Sequence, residues 1–195
     1  MRKAQINRDT NETKVFVSVD LDGTGNTDIK TGIGFFDHML DLLGKHSGVD
    51  LTVLCKGDLY IDGHHTIEDI GIVLGQVLQK AIGDKRGIRR YGSARIPMDE
   101  ALVSVDLDIS GRPYLEMNAD FYSPKVGEFD TSLVEEFFKA LALNSGLTLH
   151  INCLYGKNDH HIIEAIFKAF ARAYRTAVEI DPRFSKEIPS TKGIL

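Results

Sequence analysis

Val17-Ser18-Val19-Asp20-Leu21-Asp22 recurs letter for letter as Val103-Ser104-Val105-Asp106-Leu107-Asp108. In each copy Val, Val and Leu alternate with polar residues, the two-residue period of a strand with one buried face. The likeness extends outward from this hexapeptide. Residues 35–55 align without gaps on 133–153, which sets Ser47-Gly48 on Ser145-Gly146, Leu51 on Leu149 and Cys55 on Cys153. Residues 64–82 align without gaps on 160–178, which sets His64-His65-Thr66-Ile67-Glu68 on His160-His161-Ile162-Ile163-Glu164. Three blocks in the same order make the chain a tandem duplication. Its halves are 1–92 and 93–195, with the junction between Gly92 and Pro97, and together they form one compact domain.

Local patterns then fix the elements of each half. In the first, Lys14 to Asp22 is a strand, Asp22-Gly23-Thr24-Gly25 a turn, and a second strand runs to Thr31. Phe35, Phe36, Met39, Leu40, Leu42 and Leu43 are spaced for an amphipathic helix over 34–45, which Ser47-Gly48 ends. Val49 to Lys56 is a strand, Leu59-Tyr60-Ile61 a short fourth one, and His64 to Ile82 a helix closed by Gly83. The second half repeats this with strands from Ala101 to Ile109, Tyr114 to Ala119 and Leu147 to Tyr155, and helices from Ser132 to Asn144 and His160 to Glu179. A loop separates the strand ending at Ala119 from the helix at Ser132. Helices with one apolar face need a shared partner. The expected fold class is therefore α+β: a duplicated unit of a four-stranded sheet plus two helices, with the helices sandwiched between two sheets.

Both copies of His-His-x-x-Glu open a long helical run. At about 100° per residue the Glu shares a face with both imidazoles, while the two imidazoles diverge by about 100°. Each doublet therefore suits two metal ions better than one. A single such pair is also what a solvated helix N-terminus looks like. Two copies with the same Glu spacing, in a chain with seven His, point to metal. The alignment adds His38, which falls on Glu136, both being ligand types at matching helix positions. The candidate ligands are then His38, His64, His65, Glu68, Glu136, His160, His161 and Glu164, four for each of two metals, with open positions left for substrate. Imidazole-rich sites suit Zn, Fe, Ni or Cu, and added carboxylates admit Mn. His150 has no counterpart in the repeat and is assigned a hydrogen-bonded structural or supporting role. His46 falls on Asn144, at a helix end.

Composition narrows the partners. A net charge of −5 argues against nucleic acid, although Arg86-Gly87-Ile88-Arg89-Arg90 could form a local anion site. Two cysteines in apolar runs imply no disulfide framework and a reducing compartment, the cytoplasm. No apolar h-region follows Met1-Arg2-Lys3-Ala4-Gln5, and no apolar stretch is long enough to span a membrane.

Four stretches together resemble the imidazoleglycerol-phosphate dehydratases of histidine biosynthesis. They are Thr31-Gly32-Ile33-Gly34-Phe35-Phe36-Asp37-His38-Met39-Leu40, Asp62-Gly63-His64-His65-Thr66-Ile67-Glu68-Asp69, Asp108-Ile109-Ser110-Gly111-Arg112-Pro113-Tyr114 and Asn158-Asp159-His160-His161-Ile162-Ile163-Glu164-Ala165. The tail Pro189-Ser190-Thr191-Lys192-Gly193 matches as well, and no phosphatase domain is attached. The resemblance implies a lyase that dehydrates imidazole glycerol phosphate to imidazole acetol phosphate. It implies two Mn2+ per active site, a cubic assembly of 24 subunits and metal sites completed across subunit contacts. It also implies Glu12, Asp99 and Glu164 as catalytic carboxylates, and Arg90, Arg112, Lys168, Ser190 and Lys192 as the phosphate-binding set. Many family members carry His where this chain has Glu136, so either Glu136 or His150 completes the second site. The proton to be lost has no carbonyl beside it. Metal on both ring nitrogens would hold the ring as imidazolate and let it pass through a diazafulvene-like state. Two other classes fit the motifs without the resemblance: a dinuclear metal hydrolase and a metal-storage or metal-sensing protein.

Overall fold

A computed structural model describes residues 2–195. The alternating hexapeptides lie in the middle of two sheets of identical topology. The first sheet holds β1 (Lys3–Asp9), β2 (Thr13–Asp20), β3 (Thr27–Lys30) and β4 (Asp50–Gly57), in the order β1-β2-β4-β3. The second holds β5 (Tyr91–Met98), β6 (Ala101–Asp108), β7 (Tyr114–Asn118) and β10 (Thr148–Tyr155), in the order β5-β6-β10-β7. Val17 pairs antiparallel with Val53, and Val105 with Ile151. In both sheets the third strand runs parallel to the fourth. Between them in sequence, β8 (Lys125–Val126) and β9 (Phe129–Asp130) make a small two-stranded ribbon where only a loop was expected.

Four helices fill the space between the sheets: α1 (Gly34–Ser47), α2 (His64–Ile82), α3 (Leu133–Ser145) and α4 (Asp159–Val178). The inward residues Val15, Val17 and Val19 of one sheet and Val103, Val105 and Leu107 of the other are buried, which gives each sheet an apolar face to cover. α2 lies on β1 and β2, and α4 on β5 and β6. The helices then pair across the halves, α1 with α4 and α2 with α3. Phe36, Phe137, Phe138 and Phe167 meet in the centre, with ring centroids 5.1 Å apart for Phe36 and Phe137 and 5.4 Å for Phe137 and Phe167. The α2–α3 approach is close because Gly71 and Gly75 face α3. A Cβ on Gly75 would stand 2.6 Å from the Leu141 carbonyl oxygen.

The structure corrects two sequence expectations. Leu59-Tyr60-Ile61 is a turn rather than a strand, with Ile61 N–H bonded to the Asp58 carbonyl and Tyr60 89% exposed. The flanking Gly57-Asp58 and Asp62-Gly63 are turn formers. His150 supports no helix site: strand alternation turns Leu149 and Ile151 inward and leaves His150 exposed on the outer face of the second sheet.

Candidate metal centre and active site

Each histidine doublet stands at a helix N-terminus that a polar side chain pins. Asn158 caps α4 by accepting from the His160 N–H, and Asp62 accepts from the His64 N–H at 2.8 Å. With the first turn fixed, periodicity carries Glu164 under His160, and α1 brings in His38 from the first half. His38 Nε2 lies 3.6 Å and His160 Nε2 3.3 Å from the same Glu164 oxygen. Donor atoms of these three residues all fall within 4.8 Å of one another, the one such group among the described residues. Cis ligands of an octahedral ion with bonds of about 2.1 Å stand about 3 Å apart. Two imidazoles and a carboxylate at these separations fit a divalent ion such as Mn2+ with small adjustments, and the donor set leaves coordination positions open.

Glu164 is buried, 7% exposed, and its second oxygen accepts from the Lys168 ammonium one turn along α4. Burial pushes its carboxyl pKa up. Lys168, His38 and His160 outweigh that, so it lies below the ordinary carboxylate value.

The second histidine of each doublet points elsewhere, between two carboxylates. His65 Nδ1 bonds Asp58 at 3.0 Å, and its Nε2 is 3.8 Å from Glu12 in the β1–β2 turn. His161 Nδ1 bonds Glu100 at 2.6 Å, and its Nε2 is 3.8 Å from Asp99 in the β5–β6 turn. Asp99 takes a left-handed backbone, φ 47°, which is uncommon outside glycine although Asp tolerates it. The Asp58 and Glu100 carboxylates raise the pKa of the rings they touch. The His161 bond and the Asn158 N–H hold the Glu100 carboxyl down at about 2. Sequence reading missed Asp58 and Glu100. Their signals were present, an acid at the end of a strand just before the doublet and an acid beside Asp99 in a hairpin turn, but neither spacing reveals the fold contact.

Not every candidate ligand is gathered. His64 lies 4.0 Å from Glu68 in their own helix, and Glu136 sits on α3 4.0 Å from Lys139. These three make no compact donor group within one chain.

The anion-binding candidates form a separate cluster at the far end of α4. Arg90 grips Asp108 through two bonds of 2.7 and 3.0 Å and donates to the Pro189 carbonyl. Arg112 stands 3.8 Å from the same carboxylate. The tail folds back over residues 86–90, with Gly87 and Glu187 and then Asp181 and Gly87 joined by backbone bonds. Arg90 and Ser190 thereby line one cleft of about 660 Å³. The Lys192 N–H bonds Ser190 Oγ. Lys168 belongs to the histidine cluster instead.

Comparison with known proteins shows the family and the fold. The sequence profile described as Imidazoleglycerol-phosphate dehydratase matches residues 31–174. Relatives of that name from Cereibacter sphaeroides and Paracoccus denitrificans are each 60% identical over 195 residues, covering the whole of both chains. The crystal structure of the Staphylococcus aureus imidazoleglycerol-phosphate dehydratase superposes with a TM-score of 0.84 at 48% identity, covering 92% of this chain and 99% of that one. A Pyrococcus furiosus structure also gives 0.84, at 37% identity, over 97% and 100%.

Proposed function

The chain belongs to the imidazoleglycerol-phosphate dehydratase family, and from that premise we propose how its residues dehydrate imidazole glycerol phosphate to imidazole acetol phosphate in histidine biosynthesis. The observation that carries the reading is the His38–Glu164–His160 group with Lys168 behind it. We assign His38, His64, His65, Glu68, Glu136, His160, His161 and Glu164 to two Mn2+ per active site. Held by these residues, two ions would supply the positive charge that makes loss of the ring proton less costly. The remaining work falls to side chains. A carboxylate takes the carbon proton and an acid protonates the departing hydroxyl, so one proton is removed and one water leaves. To these roles we assign Glu164, whose second oxygen Lys168 holds, and Glu12 and Asp99, which face the Nε2 atoms of His65 and His161. Arg90, Arg112, Ser190 and Lys192 of one copy take the phosphate, Arg by paired bonds and Lys as a point charge, and Lys168 reaches it from beside the histidine cluster of another.

Geometry also favours an assembly. Arg90 N–H bonds the Ala177 carbonyl, sixteen residues beyond His161 on α4, about 24 Å at 1.5 Å per residue. The substrate is about 10 Å long by bond lengths. A substrate of that length falls short of the separation between the two clusters of one chain, which favours a phosphate held by another copy. This supports self-association, for which the family resemblance implies a 24-mer, and we place catalysis in the cytoplasm. Both cysteines are free, and no helix among the described residues is long and apolar enough to cross a membrane.

The test is incubation of the Mn2+-loaded protein with imidazole glycerol phosphate. The proposal expects an enolisable ketone with phosphate retained. Release of inorganic phosphate would favour a dinuclear hydrolase, and metal uptake without turnover a storage role.

A further inference from the structure

The two doublets meet the same need with different residues. In the first half the carboxylate on the second histidine comes from Asp58, just past β4. In the second half it comes from Glu100, in the β5–β6 turn. Asp58 lies between the gapless blocks, in a stretch of eight residues that has only six opposite it, and Glu100 lies in a different turn, so neither contact is a copy of the other. Both nevertheless produce one arrangement: a carboxylate oxygen on Nδ1, at 3.0 Å for His65 and 2.6 Å for His161. In both, Nε2 is directed to a second carboxylate 3.8 Å away. A carboxylate only accepts, so in the neutral ring Nδ1 carries the proton and Nε2 keeps its lone pair.

The two supports are held differently. Asp58 is nearly buried, its side chain 10% exposed, and its other oxygen Oδ1 is buried with no partner. The other Glu100 oxygen accepts from the Lys157 and Asn158 N–H groups at 3.1 and 2.8 Å, which ties the turn to the start of α4.

We propose that Asp58 and Glu100 are positioning residues, each fixing the ring orientation and tautomer of the second histidine of its doublet so that His65 and His161 offer Nε2 to a metal ion. This rests on the reading that the doublets ligate metal. Outer carboxylates on ligating imidazoles are worth about 10- to 100-fold in metal affinity.

The two oxygens make distinct predictions. In Glu100→Gln the backbone N–H groups hold the amide oxygen, so the NH2 faces His161 and donates to Nδ1. That moves the ring proton to Nε2 and blocks it, while the turn keeps its bonds. In Asp58→Asn nothing holds the outer atom, so the amide can turn its oxygen to His65 and keep the tautomer. Asp58→Leu removes the acceptor. The experiment titrates the metal-free assembly with Mn2+, reading free ion by electron paramagnetic resonance, beside thermal unfolding without metal. Expected are a 10- to 100-fold loss in one class of site for Glu100→Gln and Asp58→Leu, only a few-fold loss for Asp58→Asn, and an unfolding midpoint for Glu100→Gln close to wild type. Wild-type affinity in Glu100→Gln, or losses that merely track the unfolding midpoint, would overturn the proposal. Should Glu100→Gln not assemble, the Asn and Leu variants at Asp58 decide it, since equal losses there contradict the tautomer argument. A wild-type protein that takes up no Mn2+ would instead defeat the metal reading, and the proposal with it.

Discussion

Glu164 has a cationic Lys168 on one oxygen and two imidazoles near the other, so it is the residue whose charge matters most to the cluster. Glu164→Gln keeps its size and removes that charge. Ketone formation at saturating substrate and Mn2+ should fall by about 10²- to 10⁴-fold, the range for losing a positioned acid–base group. Activity within a few-fold of wild type would remove Glu164 from the chemistry. Cys55 gives a prediction of a different kind. Burial, helped by the Asp69 charge, pushes its thiol up to about 11. Only the thiolate reacts with alkylating agents. At pH 8 it is therefore about one part in a thousand ionised, and iodoacetamide labelling of native protein should be slow there and climb about tenfold per pH unit toward 11. Peptide mapping by mass spectrometry reads this directly, with the unfolded chain as the fast reference.

At the scale of elements, the α2–α3 contact sets how closely the halves approach. A methyl on Gly75 would meet the Leu141 carbonyl at 2.6 Å and Asn144 Cβ at 2.9 Å. Overpacking of this kind costs about 1–3 kcal/mol, against about 1 kcal/mol gained in helix propensity. Gly75→Ala should lower the thermal midpoint. Gly34→Ala, where a Cβ would meet nothing within 4 Å, should leave it level or raise it. Equal shifts in both would refute the packing argument. The same scale shows what the sequence made legible. All four helices lie within a residue or two of the positions their apolar spacing and closing glycines indicate, because burial on one face leaves a 3.6-residue trace. β1 and β5 left no such trace. Lys3–Asp9 is an edge strand with half-exposed Ala4 and Ile6 as its inward residues, and β5 carries Gly92 and Pro97, residues that weaken a strand pattern and suit an edge. Glu164, His160 and His38 were readable from spacing and repeat. Asp58 and Glu100 were not, since their roles exist only once strand ends and helix starts are adjacent in space.

For the whole molecule, duplication has consequences beyond symmetry. Because α1 pairs with α4 and α2 with α3, the His38–His160–Glu164 group mixes both halves, and neither contains it alone. The tail and Arg90 cluster lies at the opposite end of α4 from the doublet, so under the proposed function a site that uses both clusters draws them from different copies. Mixed assemblies test this. Glu164→Gln spoils the histidine cluster and leaves the cationic one. Arg112→Ala, at a side chain 69% exposed, does the reverse and should cost about 10- to 100-fold through a lost charged phosphate contact. If both clusters of a site came from one chain, every chain in a co-expressed mixture would carry one defect, and activity could not exceed the mean of the two variants. If they come from different copies, random equal mixing leaves about a quarter of sites with both clusters intact, one half times one half, in a closed symmetric assembly. The expected kcat/KM per site is therefore about a quarter of wild type, well above either variant alone. A mixture no better than their mean would place the whole site within one chain, contrary to the separation along α4.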